Sequence, residues 1–244
     1  MEFMGHEAHA PARPRIARAS LAALALAGSL ALALTLGAGP AQAAPKIVVL
    51  GAAAPAVPAC PDNCQAIGKT TGFQNTIGRT KSPFRVPYAG KIVAWSIKLS
   101  RPTSKQIEFF DDFFGGTPTA RVSVLKPINA QIKKGNPVYE LKSQSPVEQL
   151  SAYLGTTTTF ALQRPLKVKK NQIVALTVPT WAPAFAVNLG GSTAWQASRK
   201  KNKCNKADDI KAGKAQQALG SDRPYGCTYK TARLLYSATI VKRP

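Results

Sequence analysis

The chain has 244 residues, 45% of them hydrophobic, and its 33 basic against 11 acidic side chains give a formal net charge of +22. The apolar content is enough for a folded core, and the charge indicates attraction to polyanions. Both histidines, His6 and His9, lie within the first 43 residues. The rest of the chain therefore has no imidazole base, no Ser-His-Asp or Cys-His catalytic set and no histidine metal site.

Residues 1–43 have the pattern of a cleaved signal peptide. Three arginines between residues 13 and 18 precede an uncharged run of 16 residues, Leu21–Leu36, and Ala41-Gln42-Ala43 forms a small-residue cleavage site. The alternative is a transmembrane anchor, but a spanning helix needs about 20 apolar residues, and this run of 16 is shorter. Cleavage after Ala43 would leave 30 basic (33 minus 3) and 9 acidic (11 minus 2) side chains. We therefore expect a secreted or cell-envelope-associated protein.

The segment 44–59 is an Ala- and Pro-rich lead-in, in which Ile47–Leu50 is either an edge strand or part of a disordered stretch. From residue 60 to 244 we predict a single β-sandwich domain, because short alternating runs recur between turn residues. A basic, disulfide-closed insertion is expected at 196–230. No window of a dozen residues shows a clean helical stripe, although 208–219 could form a short polar helix.

Four cysteines in an exported chain indicate two disulfides rather than metal ligands or nucleophiles. Three connectivities are possible. We predict Cys60–Cys64, which flank a Pro-Asp-Asn turn, and Cys204–Cys227, which bracket a polar segment. The spacing of the first pair is not Cys-x-x-Cys, which argues against a redox-active site.

The alternating runs contain the residues that we expect to line the core. Short strands separated by Gly, Pro and Asn turns are typical of a sandwich or a barrel, and we predict an all-β, jelly-roll-like sandwich. The expected inner-face residues are Val93, Trp95, Ile97, Val122, Val124, Val174, Leu176, Leu234, Tyr236 and Ile240. Arg121 and Ser123 would lie on the opposite face.

Four stretches of this pattern resemble secreted jelly-roll proteins of actinobacterial type, a group of uncharacterised function. They are 86–95 (VPYAGKIVAW), 120–127 (ARVSVLKP), 166–176 (LKVKKNQIVAL) and 233–239 (RLLYSAT), and the likeness extends over roughly residues 72–241. The resemblance implies the fold and no catalytic residue. Asn171-Gln172 stands where similar proteins usually have Gly-Asp, which argues against a calcium ligand in that turn.

The segment Glu108–Gly116 (EFFDDFFGG) is the most unusual local feature, and we expect a long loop between strands. Its aromatics either form a satellite core or form a ligand-binding rim in which the acidic pair holds hydroxyl groups. A catalytic carboxylate pair, the minimum for glycoside hydrolysis, is the third alternative. The residues concerned are Phe109, Phe110, Phe113 and Phe114 for the aromatic set and Glu108, Asp111 and Asp112 for the carboxylates.

Two tryptophans, Trp181 and Trp195, occur in loop-like sequence contexts. On a sandwich, such tryptophans serve either as platforms for sugars or as lids over the core. We therefore keep both as candidate ligand contacts.

The segment 199–206 is strongly basic, with Arg199, Lys200, Lys201, Lys203 and Lys206 and only Asp208 and Asp209 following closely. A charge run is commonly just a solvated surface. Here it adjoins a predicted disulfide, which would hold it in one shape, so we predict polyanion binding. The chain has no DNA-recognition motif and no phosphate-binding glycine loop.

The sequence thus predicts a non-catalytic binding module, without a cofactor or a metal, that engages anionic cell-wall or extracellular polymers or glycans. Two alternatives stay open. One is a histidine-free polysaccharide-cleaving enzyme that uses Glu108, Asp111 or Asp112. The other is a structural or self-assembling surface protein.

Overall fold

A computed structural model describes residues 45–52, 55–133 and 137–242. The predicted signal peptide lies outside these residues. The helices in the described part of the chain are α1 (Ser104–Phe114), α2 (Asn129–Lys133) and α3 (Ala207–Lys211), with a short 3-10 helix at Ser151–Tyr153. The strands are β1 (Ile47–Leu50), β2 (Ile67–Ile77), β3 (Thr80–Lys81), β4 (Gly90–Lys98), β5 (Thr119–Pro127), β6 (Val138–Gln144), β7 (Glu148–Gln149), β8 (Thr157–Val168), β9 (Ile173–Ala182), β10 (Phe185–Ala186), β11 (Ala194–Ala197), β12 (Asp222–Pro224), β13 (Cys227–Lys230), β14 (Arg233–Leu234) and β15 (Tyr236–Lys242).

Within the described ranges, the strands form two antiparallel sheets and one short pair, β10-β14. The smaller sheet has the order β1-β15-β4-β8, and the larger has the order β12-β6-β5-β9-β2-β11-β13, with β3 on β2 and β7 on β5. Because β1 pairs with β15, Ile47–Leu50 is an edge strand and the fold begins inside the predicted lead-in.

Apolar side chains of both sheets meet in one core, which confirms the predicted all-β sandwich. Trp95 of β4, Val122 of β5, Leu176 of β9 and Ile240 of β15 are fully buried in it. The hydroxyl of Tyr236 on β15 donates to the carbonyl of Val174 on β9 at 3.0 Å, a direct bond between the sheets.

One predicted core residue, Val93, is not in the core. Its pairing with β15 has a β-bulge in which Ala94 faces Thr239 and Ile92 faces Ile240, so Val93 is an extra residue. Because a bulge inserts one residue, it reverses which side chains of the strand face the core on its far side. Ile92 is therefore fully buried in place of Val93.

The larger sheet curls until its two ends meet. β12 and β13 stand at opposite ends of the strand order, yet only Tyr225 and Gly226 separate them in the chain. A connection of two residues can span at most about 11 Å between the strands that it joins. In a flat sheet of seven strands, the two edge strands would lie about 29 Å apart. In agreement, the rings of Phe73 on β2 and Tyr139 on β6 lie 5.2 Å apart although two strands separate them.

The inside of this curl is closed by the connection between β11 and β13, which is the predicted basic insertion. Its residue Gln216 is fully buried, and its side-chain amide donates to the carbonyls of Tyr139 and Ser221. The hydroxyl of Tyr225 donates to the Gln216 side chain at 2.8 Å. The curl is thus filled by hydrogen-bonded polar groups as well as by aromatic rings.

Both predicted disulfides are present, Cys60–Cys64 and Cys204–Cys227, and the described residues contain no free cysteine. Paired cysteines of this kind indicate an oxidising environment. Among the described helices, none combines the length and apolar character needed to cross a membrane.

Candidate functional site

The phenylalanine-rich segment is helical, so the prediction of a loop was wrong. α1 begins with a capping box, in which the Thr103 hydroxyl accepts from the Gln106 amide and the Gln106 side chain accepts from the Thr103 amide. It ends at Gly115, which adopts the left-handed conformation (φ 74°) that favours glycine. The Thr-x-x-Gln pattern and the glycine were the sequence signals for this helix.

The aromatics of α1 build a satellite core rather than an open rim. Phe110 and Phe114 are buried and pack with Trp181, which is itself fully buried. Gly68 makes room for this packing, because a Cβ atom there would lie 2.2 Å from the Phe114 ring. Phe109 is 59% exposed and Phe113 is half-buried. Phe110, Phe114 and Trp181 are therefore unavailable as ligand contacts.

The carboxylates of α1 do not form a cleft. Asp111 accepts a hydrogen bond from the indole N–H of Trp181 at 2.8 Å, so it orients the tryptophan. Glu108 and Asp112 are exposed on the helix surface. Four cavities, of about 590, 450, 310 and 270 Å³, lie on the described part of the chain, and none of these three carboxylates lines any of them.

The predicted basic segment divides into buried and exposed parts. Arg199 is only 9% exposed, and its guanidinium donates to the carbonyl of Gly68 at 2.8 Å and to the hydroxyl of Tyr229 at 3.0 Å. It therefore holds the start of the insertion against β2 instead of projecting into solvent. Lys200, Lys201, Lys203 and Lys206 are exposed as predicted.

Two adjoining cavities of about 590 and 450 Å³ form a basic cleft around the segment 212–214. They share Lys214 and Arg223 in their linings, so the two cavities lie side by side. Its basic lining residues are Lys69, Arg199, Lys200, Lys203, Lys211, Lys214 and Arg223, and its acidic ones are Asp209 and Asp222. Lys203 binds Asp209 with 2.7 Å between ammonium nitrogen and carboxylate oxygen, which leaves a large excess of positive charge.

Several elements of the fold position these cations. Lys69 on β2, with φ 46°, lies opposite a β-bulge of β9, in which Pro179 and Thr180 face one residue, and it lines the cleft. The guanidinium of Arg223 on β12 donates to the Lys214 carbonyl. Cys204–Cys227 ties the loop that carries Lys200 and Lys203 to β13. The cleft is thus built on rigid elements.

Sequence reasoning found only part of this cleft. Of the lysines predicted to bind a polyanion, Lys200 and Lys203 line the cleft, whereas Lys201 and Lys206 do not. Lys69 and Arg223 were missed, because they lie far from the basic run in the chain and no local motif marks them.

A second, smaller cavity of about 270 Å³ lies on the other side of Arg199, and we call it the aromatic pocket. Its lining includes Phe185, Trp195, Tyr229, Gln65 and Lys230 as well as Arg199. Trp195 is a buried core residue whose ring stacks on that of Tyr229, with 4.6 Å between centroids. Trp195 therefore supports this pocket from behind.

The remaining cavity, of about 310 Å³, lies beside β4 and β15. No protein-family model, curated protein or solved structure matches the chain.

Proposed function

We propose that the protein is an extracytoplasmic, non-catalytic binding module that holds an anionic polymer in the basic cleft. The observation that carries the proposal is the lining of the cleft, in which seven basic side chains outnumber two acidic ones. A concave surface of one sign of charge concentrates a field and attracts oppositely charged ligands. Two adjoining cavities with basic linings favour a chain-like ligand over a single small anion.

The arrangement of the cleft supports a specific site over a merely soluble surface. A charge run that serves only solubility needs no fixed geometry. Here Arg223 is bonded to the backbone at Lys214, and a disulfide holds the loop 199–206. Such fixed cations lose less side-chain entropy when a ligand binds.

The alternative of a polysaccharide-cleaving enzyme has less support. Its candidate carboxylates lie on α1, where Asp111 is bonded to Trp181 and the other two face solvent. A glycosidase needs two carboxylates that flank a bound sugar. The geometry therefore favours binding over hydrolysis by these residues.

Two matched variants test the proposal. The first replaces Lys200, Lys203, Lys211 and Lys214 of the cleft by Gln, and the second replaces Lys91, Lys167, Lys169 and Lys170, which are exposed elsewhere. Each removes four positive charges. If each cleft lysine contributes about 0.5 kcal/mol, the first variant should lose about thirtyfold in affinity for a polyanion matrix at low salt. Retention is measured as the salt concentration at which each protein elutes from heparin and polyphosphate columns, and elution at lower salt indicates a lower affinity.

The control variant distinguishes binding in the cleft from attraction to the overall positive charge of the protein. Binding by the wild-type protein should weaken steeply as the Debye length falls from about 10 Å at 0.1 M to about 3 Å at 1 M salt. Both variants should retain the wild-type melting temperature, because their substitutions are on the surface. Equal losses in the two variants would show that net charge alone governs retention, and the cleft would then not be a site.

A further inference from the structure

We infer that the aromatic pocket binds a single carboxylate-bearing sugar ring, so that the polymer in the basic cleft is an acidic polysaccharide. This inference rests on the proposed function and names the class of its ligand. The pocket and the cleft share one wall residue, Arg199, which lines both. The two cavities are therefore neighbours, and in this inference one unit of the chain held in the cleft lies in the pocket.

Arg199 supplies the requirement for an anion. It is buried, yet in the described part of the chain no carboxylate lies within 4.0 Å of its guanidinium. Its two hydrogen-bond acceptors, the Gly68 carbonyl and the Tyr229 hydroxyl, are neutral. A buried cation without a counter-charge is costly, and an incoming carboxylate would offset that cost.

The lining of the pocket strengthens this preference. It includes a second cation, Lys230, and no acidic residue. Lys230 is exposed and lines the pocket, so its ammonium group can approach a carboxylate as the ligand enters. The pocket thus selects for negative charge without depending on the cleft.

The aromatic wall supplies the requirement for a ring. Trp195 and Phe185 are buried, whereas Tyr229 is only partly buried. Because one face of Tyr229 stacks on Trp195, its exposed part offers a rigid apolar surface to the pocket. The C–H face of a sugar ring packs on such a surface, and a phosphate group has no apolar face to do so.

The orientation of that wall is fixed. The Tyr229 hydroxyl accepts from Arg199 and donates to the carbonyl of Cys204, which is disulfide-bonded. Gln65 and Asn188 add exposed amide groups that can bond sugar hydroxyls. At about 270 Å³, the pocket is smaller than the cavities that hold drug-sized ligands, which fits one sugar unit.

The test is a ¹H–¹⁵N titration of the whole folded protein with glucuronate, with glucose, benzoate and inorganic phosphate as comparisons. Glucuronate should shift the side-chain amides of Gln65 and Asn188 and the backbone amide of Thr231. Glucose should bind at least about tenfold more weakly, because it lacks the charge-assisted bond. No shift with glucuronate at tens of millimolar, or equal shifts with glucose, would overturn the inference. Stronger binding of benzoate or phosphate would overturn the sugar assignment as well.

A variant localises the effect. Lys230→Gln combined with Gln65→Ala changes two exposed residues that line only the aromatic pocket among the four cavities. It should weaken glucuronate binding about tenfold while retention on polyphosphate stays unchanged. Unchanged glucuronate affinity in this variant would place the ligand elsewhere.

The two proposals fail in different ways. If polyphosphate and heparin bind through the cleft but glucuronate does not bind in the pocket, only the present inference is wrong. If the cleft variant and its charge-matched control lose polyanion binding equally, the proposed function is wrong, and glucuronate shifts at Gln65 would then mark a small-ligand site alone. The latter outcome would also overturn the inference about the polymer.

Discussion

The space between the two sheets and the space inside the curled sheet are both closed to solvent, but different chemistry fills them. Between the sheets lie apolar side chains such as Trp95, Val122 and Leu176. Inside the curl, the rings of Phe73, Tyr139 and Tyr225 lie beside hydroxyl and amide groups. One interior is stabilised mainly by burial of apolar area, and the other depends on complete hydrogen bonding.

The polar groups inside the curl form a connected network. The hydroxyl of Thr177 on β9 lies 3.0 Å from that of Thr71 on β2 and 2.6 Å from that of Ser123 on β5. The backbone amide of Gln216 donates to Thr71 at 3.0 Å. The network thus fixes the insertion to three strands, and this same insertion carries most of the basic cleft. The polar interior is therefore the support of the candidate site.

The largest expected effect concerns the apolar interior. Trp95→Ala should destabilise the protein by about 3–5 kcal/mol, because it removes a fully buried aromatic side chain and leaves a cavity. The free energy of unfolding is measured by urea denaturation.

Ile92→Ala should cost about 2–5 kcal/mol, and Val93→Ala much less, since the bulge keeps Val93 out of the core. A larger loss at Val93 than at Ile92 would show that the register is wrong.

A matched pair of substitutions distinguishes the two interiors. Gln216→Met keeps the size of the side chain but removes the donor to the Tyr139 carbonyl, the acceptor for the Tyr225 hydroxyl and one of two donors to the Ser221 carbonyl, which should cost about 3 kcal/mol. Leu176→Met, between the sheets, should cost less than about 1.5 kcal/mol. Both values come from urea denaturation. Similar losses in the two variants would mean that the polar network contributes little.

The apolar interior could be predicted from the sequence, whereas the polar one could not. Val122 and Val124 alternate with Arg121 and Ser123, which correctly separates two faces of β5. Alternation gives no sign that the second face is covered, and Ser123 is fully buried inside the curl. The curl follows from pairing between distant strands, and no local pattern encodes such pairing.

The candidate site shows the same limit. Lys200 and Lys203 were predicted because they are neighbours in sequence, and Lys69 was missed because strand pairing, not chain order, brings it to the cleft. Arg199 was predicted to be exposed with its neighbours, but the bonds to Gly68 and Tyr229 bury it. Charge patterns therefore predict that a surface is basic better than they predict which cations line its cleft.

Alkaline pH provides a further comparison, with one buried tyrosine in each interior. Burial raises the pKa of Tyr225, inside the curl, and of Tyr236, between the sheets, well above the usual value. Above about pH 10 the unfolded chain releases these protons while the native protein keeps them, so stability falls as pH rises, by about 1.4 kcal/mol per pH unit for each group.

The phenylalanine variants assign this pH dependence. Tyr225→Phe and Tyr236→Phe should each reduce the slope of unfolding free energy against pH above about pH 10 by the contribution of one group. The slope is obtained from urea denaturation at a series of pH values. If only Tyr236→Phe changes it, the inside of the curl admits water and is not a closed interior.

The smallest expected effect concerns α1, which packs on Trp181 at the outside of both interiors. Thr103→Ala removes the hydroxyl that accepts from the Gln106 amide and should cost about 1 kcal/mol of stability. Ser104→Ala, one residue inside the helix, is the control and should be nearly neutral.

Because Trp181 lies on β9 beneath the helix and its indole is bonded to Asp111, we expect α1 to unfold together with the sandwich. Thr103→Ala should then lower the urea midpoint and speed amide exchange about fivefold in α1 and β9 alike. Faster exchange confined to α1, at an unchanged midpoint, would show that the helix opens independently and that Trp181 can become exposed without loss of the fold.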